Sequence, residues 1–236
     1  MLRGVCILCF GMVFAALTIA ADAPTATIAL GARDAKATPI RTGFAHTGGG
    51  NIDVQQPSAD TLVVTMSGVA VAGAHPVCDS AAGFDFVLCQ EFGVAFADPK
   101  FKAAKVSVEA RIIGLLRSQK HGHAEIAAAH ASISSGSEAV VAVDLPAHCA
   151  GAGRNVSIND KTGPIAKSIA AGTFNLNQQF SISVSHPHSV WPCKAASAEF
   201  APDPALEPLW ISYWEPFHGA NKKDFGFQVV VKVSPN

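Results

Sequence analysis

Alternation of apolar and polar residues is the feature of this chain that most restricts its fold. Within residues 84–96 the apolar side chains occupy every second position, and Gln90 is the only interruption. Within residues 174–184 aromatic and aliphatic residues alternate with asparagine, glutamine and serine. Successive side chains of a β-strand point to opposite faces of a sheet, so this period indicates strands with one buried and one solvated face. Antiparallel sheets produce that pattern, whereas buried parallel sheets give continuous apolar runs.

Shorter segments repeat the pattern at residues 62–71, 106–112, 139–143 and 227–233. Turn residues separate these segments, which favours an all-β fold, an antiparallel two-sheet β-sandwich with jelly-roll or immunoglobulin-like topology. Three stretches lack the period: a glycine-rich turn or link at 47–51, and two long irregular loops at 147–173 and 187–208. The alanine-rich residues 124–131 predict a short helix.

The N-terminus has the form of a secretory signal peptide. Arg3 precedes a short apolar run that ends in small residues at Ala20 and Ala21. We therefore expect a signal peptide at residues 1–21, an N-terminal arm or edge strand at 22–45, and a single sandwich domain at 46–236. A secreted or periplasmic location follows. About 215 residues remain after cleavage, a length that one sandwich can absorb.

Composition excludes several classes of protein. Apolar residues make up 49% of the chain and charged residues 15%, which permits a sizeable core and argues against intrinsic disorder. The net charge is −1, and the lysines and arginines are scattered, so nucleic acid is not an expected partner. No later apolar run reaches the length of about 18 residues that a membrane span requires. We expect no membrane span after signal cleavage.

Cysteine usage suggests disulfides. Cys6 and Cys9 lie inside the targeting segment, and the cysteines that remain are Cys78, Cys89, Cys149 and Cys193. An even number of cysteines in an exported chain favours two disulfides. Of the three possible connectivities, Cys78–Cys89 with Cys149–Cys193 is the simplest because it closes local loops.

A group of histidines is a candidate metal site. In an extended strand His121, His123 and Glu125 project from the same face, and imidazoles with a carboxylate are ligands for divalent transition metals. His186 or His188 would complete the set. The His-x-His pair, with Gly114 before it, resembles the metal motif of the cupins over this short stretch. The chain departs from that motif because Glu125 follows too closely and no second motif comes after. The resemblance implies a cupin-like metal-dependent enzyme.

An aromatic cluster near the C-terminus is a candidate ligand-binding site, with Trp210, Trp214, Phe217 and His218 as its binding residues. Exposed aromatic side chains stack on sugars or anchor protein partners, although aromatics at the end of a sandwich also serve as core. Glu215 and Asp224 form a possible carboxylate pair of the kind that glycoside hydrolases use.

The recognisable motifs of common enzymes are missing, including G-x-S-x-G, H-E-x-x-H, the P-loop and the dinucleotide glycine fingerprint. We therefore assign no catalytic residue and expect no cofactor, the alternative being a divalent transition metal at the histidines. The sequence favours an exported, non-catalytic binding or structural module. Its expected partner is a carbohydrate or an extracellular protein.

Overall fold

A computed structural model describes residues 26–73, 76–118, 126–135, 142–151, 153–188, 195–200 and 225–235. Within these residues the chain forms strands and no helix. The strands are β1 Ala26–Thr42, β2 Ala45–Ser58, β3 Thr61–Gly73, β4 Ser80–Phe96, β5 Ala103–Ser118, β6 Ile126–Ser135, β7 Ala142–Asp144, β8 His148–Gly151, β9 Asn155–Ala170, β10 Gly172–His186, β11 Ala195–Glu199 and β12 Gly226–Pro235. In this part of the chain no helix is long and apolar enough to cross a membrane.

Two antiparallel sheets make up the fold. Sheet A has the strand order β1–β4–β10–β6, and both β7 and β8 pair with the outer side of β6. Sheet B has β2 on β3, then β11 and β12, then β5 and β9. β12 pairs with the first half of β3 and β11 with the second half, so these two strands share one position between β3 and β5. The predicted all-β antiparallel fold is confirmed, in a sandwich-like arrangement.

The core lies between the sheets and contains the residues that the alternation predicts to be buried. β4 and β10 pair in a register that sets Phe86 beside Phe180, with ring centroids 5.5 Å apart. Phe180 also contacts Phe227 of β12 at 5.6 Å and Phe200 at 5.2 Å, and these two residues belong to the sheet B side. All four rings are fully buried. Each contributes about 1.5–3 kcal/mol through burial, so this cluster holds the two sheets together.

Two glutamines break the apolar pattern of the core. Gln90 and Gln178 are 2% and 1% exposed on adjacent strands. β1 contains an irregularity between Leu30 and Arg33, and the Gln90 amide donates there to the carbonyls of Ala32 and Gly31 at 3.4 and 3.5 Å, as well as to Glu91 O at 2.7 Å. A bulge leaves backbone groups outside the ladder, and Gln90 compensates for them. Neither amide atom of Gln178 has a hydrogen-bond partner.

Three local predictions are wrong. Residues 126–131 belong to β6 instead of a helix, because Ala127, Ala129 and Ala131 fill inward positions at period 2. The glycine-rich residues 47–51 lie within β2, which accommodates them by a register shift between Gly48 and Asn51. Most of the expected loop at 147–173 is strand, since β9 covers 155–170 at the edge of sheet B with little side-chain burial.

The structure does not support the predicted disulfides: the geometry contradicts Cys78–Cys89, and Cys149–Cys193 involves a residue outside the described part of the chain. Cys89 and Cys149 are free thiols. Residues 80–89 run as one extended strand, so Cys89 lies about 30 Å along β4 from its start, beside which Cys78 is located. A disulfide requires α-carbons within about 7 Å. Cys149 lies on β8 opposite Ala128, and Cys193 lies outside the described residues.

Candidate functional site

The main sequence-predicted site residues lie outside the described residues. This applies to the proposed metal ligands His121, His123 and Glu125, and to the carboxylate pair Glu215 and Asp224. It also applies to the aromatic cluster of Trp210, Trp214, Phe217 and His218. The structure therefore bears on these sites through the strands that flank them.

The strands on either side of the aromatic cluster converge at sheet B. β11 ends at Glu199, opposite Leu115 of β5, and β12 begins at Gly226, opposite Ile113 of the same strand. Two positions along a strand are about 7 Å apart. The strand ends that flank residues 201–224 therefore lie at adjacent points along β5.

The face of sheet B around these two points is buried, although it points away from the main core. Ile113, Leu115 and Phe225 form a separate apolar cluster there. Arg117 lies on the same face of β5, and its Nε is 3.7 Å from Oε1 of Glu199. Burial lowers the pKa of Arg117, and the Glu199 carboxylate opposes that shift. Ser197 donates to the same carboxylate oxygen at 3.2 Å.

Residues next to the two groups of histidines pair with each other at one end of sheet A. Ile126, the first described residue after Glu125, pairs with Ser185, which directly precedes His186. His186 is buried, and its Nδ1 lies 2.6 Å from Pro187 O. His188 is held elsewhere, because its backbone N–H donates to Asp79 Oδ1 at 2.9 Å. That bond and the His188 ring lower the pKa of Asp79. Among the described residues no three potential ligands stand together as a metal site.

A groove that sequence reasoning missed lies on the outward face of sheet A, the face turned away from the core. It has a volume of about 450 Å³, and its polar lining is Ser132, Ser134, Asp144, Asn177 and Gln179. Strand pairing assembles it, since Asn177 is opposite Ser134, Gln179 is opposite Ser132, and Ser132 is opposite Asp144.

One pair of side chains organises the rim of this groove. His130 Nε2 lies 2.8 Å from Asp144 Oδ1, which joins β6 to the short strand β7. The sequence held one signal of the groove: the polar face of β10 consists of amides and hydroxyls with no charged side chain from Asn175 to Ser185. Solvated strand faces often carry lysine or glutamate, especially near sheet edges.

The outward face of sheet B has a second depression, of about 360 Å³, lined by charged groups that pair with one another. Lys161 Nζ lies 2.8 Å from Glu109 Oε1, and Arg111 Nη2 donates to Asn159 Oδ1 at 3.5 Å. Because opposite charges are interspersed here, this face offers no strong field to an ionic ligand.

The comparisons with known proteins show no family for this chain. No family model and no curated protein matches the chain. A solved structure of the infectious bursal disease virus Gx strain aligns with 88% of this chain at 10% identity, with a TM-score of 0.15. The alignment spans 43% of that viral chain. A similarity of this size supports no conclusion about fold or function.

Proposed function

We propose that this chain is an exported, non-catalytic β-sandwich module that binds a carbohydrate or an extracellular protein through Trp210, Trp214, Phe217 and His218. The N-terminal signal-like segment supports export to a secreted or periplasmic location. A sandwich by itself does not identify a ligand, so the argument depends on the site.

A jelly-roll topology is part of the proposal. From β3 onward the long strands alternate between the sheets: β3, β5, β9 and β12 belong to sheet B, and β4, β6 and β10 to sheet A. Such alternation is typical of a jelly roll, in which two Greek keys wrap around one core. Immunoglobulin-like domains instead place several consecutive strands in one sheet. β1 and β2 add an edge strand to each sheet.

The observation that carries the proposal is the position of β11 and β12. Their ends lie opposite Leu115 and Ile113 of β5, so the described strands before and after the aromatic segment come close together on one sheet. Binding residues are commonly held by connecting segments on a rigid scaffold. Tryptophan and tyrosine provide large contact areas at low entropic cost, which suits them to sugars and protein surfaces.

Replacement of Trp214 by alanine tests this function. Binding of the purified protein to a glycan array and to extracellular protein extracts is compared with its thermal unfolding. We expect Trp214→Ala to abolish binding of the partner that the aromatic residues recognise, and to change the free energy of unfolding by less than about 1 kcal/mol. Phe180→Leu, in the core, is the control and should lower stability without changing affinity. A decrease of about 3–5 kcal/mol in the free energy of unfolding of Trp214→Ala would show that this tryptophan is a core residue and would refute the proposal.

The alternative function is a cupin-like enzyme in which His121, His123 and Glu125 bind a divalent transition metal. The pairing of Ile126 with Ser185 favours it, because it sets the residue after Glu125 beside the residue before His186. Metal analysis of tag-free protein decides the matter. A stoichiometry near one that falls in His121→Ala would support the enzyme, and a stoichiometry near zero for every first-row metal would exclude it.

A further inference from the structure

We propose that the groove on the outward face of sheet A is a second binding site, and that its ligand is a neutral saccharide chain. This site is independent of the aromatic segment. The strands that flank that segment, β11 and β12, belong to sheet B, whereas the groove lies on β6, β7 and β10 of sheet A. The volume of about 450 Å³ falls within the range of small-ligand sites.

The groove offers hydrogen-bonding groups that the fold does not use. Within the described structure, Ser132, Ser134, Asn177 and Gln179 make no side-chain hydrogen bond, while their strands fix their positions. An amide presents a donor and an acceptor side by side, and a hydroxyl can do either. These groups therefore match a ligand that carries many hydroxyls, each of which both donates and accepts.

Charge selects a neutral ligand. Among the described residues that line the groove, Asp144 is the one ionic group, and His130 contacts it at 2.8 Å. The described lining contains no lysine or arginine, so a phosphate or carboxylate would lose its hydration there without gaining a countercharge. The Asp144 carboxylate can accept from two hydroxyls at once, as adjacent sugar hydroxyls require.

An apolar surface lies beside these polar groups. Val87 of β4 is opposite Gln179 and is 39% exposed on the same outward face. Sugar rings present C–H groups on one side and hydroxyls at their edges. A ring resting on Val87 would turn its edge toward Gln179 and Ser132, so the row from β4 to β7 can accommodate more than one sugar unit. This is why we propose a chain and not a monosaccharide.

The test uses isothermal titration of the full mature protein with four neutral hexasaccharides: cellohexaose, maltohexaose, mannohexaose and chitohexaose. The double variant Asn177→Ala/Gln179→Ala removes both amides from the groove. Its matched control is Asn175→Ala/Ser183→Ala, on the same face of β10 but outside the groove. All four positions are exposed, so thermal unfolding should be unchanged in both variants.

We expect at least one hexasaccharide to bind, with an affinity that falls about 10-fold or more in the groove variant and less than about 2-fold in the control. Trp214→Ala should retain this binding. If binding disappears in Trp214→Ala and persists in the groove variant, the groove proposal is wrong and the aromatic segment is the saccharide site. If no hexasaccharide binds, the groove proposal is refuted, while a protein partner of the aromatic segment is still measurable separately.

Discussion

Gln178 is the residue whose replacement should reveal most about the core. Its side chain is 1% exposed between the two sheets, and neither the amide nitrogen nor the amide oxygen has a hydrogen-bond partner. Its neighbours in register are apolar, Leu88 on one side and Ile133 on the other. We predict that Gln178→Leu stabilises the protein, since leucine keeps a similar volume and has no polar atoms to desolvate.

The magnitude follows from the cost of burying an unpaired amide, which is about 1–3 kcal/mol in proteins. Leucine removes that cost and adds the favourable transfer free energy of an apolar side chain. Imperfect packing of its branched side chain reduces this gain. We therefore expect an increase of about 1–3 kcal/mol in the free energy of unfolding. For a chain of this size the melting temperature should rise by about 2–10 °C.

Gln90→Leu is the matched control, because Gln90 is also buried but donates to Glu91 O at 2.7 Å and reaches the β1 bulge. We expect this variant to lower the free energy of unfolding by about 1 kcal/mol or more, since it leaves backbone carbonyls without a hydrogen-bond donor. Urea unfolding followed by circular dichroism measures both variants. If Gln178→Leu is destabilised as much as Gln90→Leu, then the Gln178 amide is hydrogen-bonded in solution and the argument from an unpaired group fails.

Two further predictions concern a turn and a thiol. Asp60, between β2 and β3, accepts from Ser58 at 2.6 Å and Thr61 at 3.0 Å, and these bonds lower its pKa. Asp60→Asn should lower the free energy of unfolding by about 0.5 kcal/mol at pH 7. In urea unfolding at decreasing pH this difference should vanish as the pH falls through the lowered pKa of Asp60, because the wild-type carboxylate is then protonated. Cys149 is exposed and free, so Cys149→Ser should remove one fast-reacting equivalent in a thiol titration of unreduced protein. An unchanged count would mean that this cysteine is oxidised.

The alternation predicts strands well where one face is buried and poorly where neither face is. β4 and β10 lie inside sheet A, and their inward positions read directly from the sequence. β9 is an edge strand in which Ile158 is the one fully buried apolar residue, so its sixteen residues carry no period and predict a loop. β6 fails for another reason: alanine fills its core positions, and alanine-rich runs favour helix unless a sheet supplies partners.

Period 2 assigns a side chain to a face but does not say which strands adjoin it. The amides of Asn177 and Gln179 belong to a groove only because β10 pairs with β6 and β6 with β7, which brings Asp144 into the same row. The Cys78–Cys89 prediction failed for a related reason, since residues 80–89 extend as one strand and place Cys89 about 30 Å from the start of β4.

The two core glutamines carry this reasoning further. Both interrupt an apolar face in the same way, and nothing in their local sequence separates them. The difference lies in β1, where an extra residue opposite β4 leaves carbonyls for Gln90, while Gln178 faces Leu88 and Ile133. A polar residue on a buried apolar face stabilises the protein if it has a hydrogen-bond partner and destabilises it if it has none, and only the fold supplies that partner. The opposite signs expected for the two leucine variants follow from that difference alone.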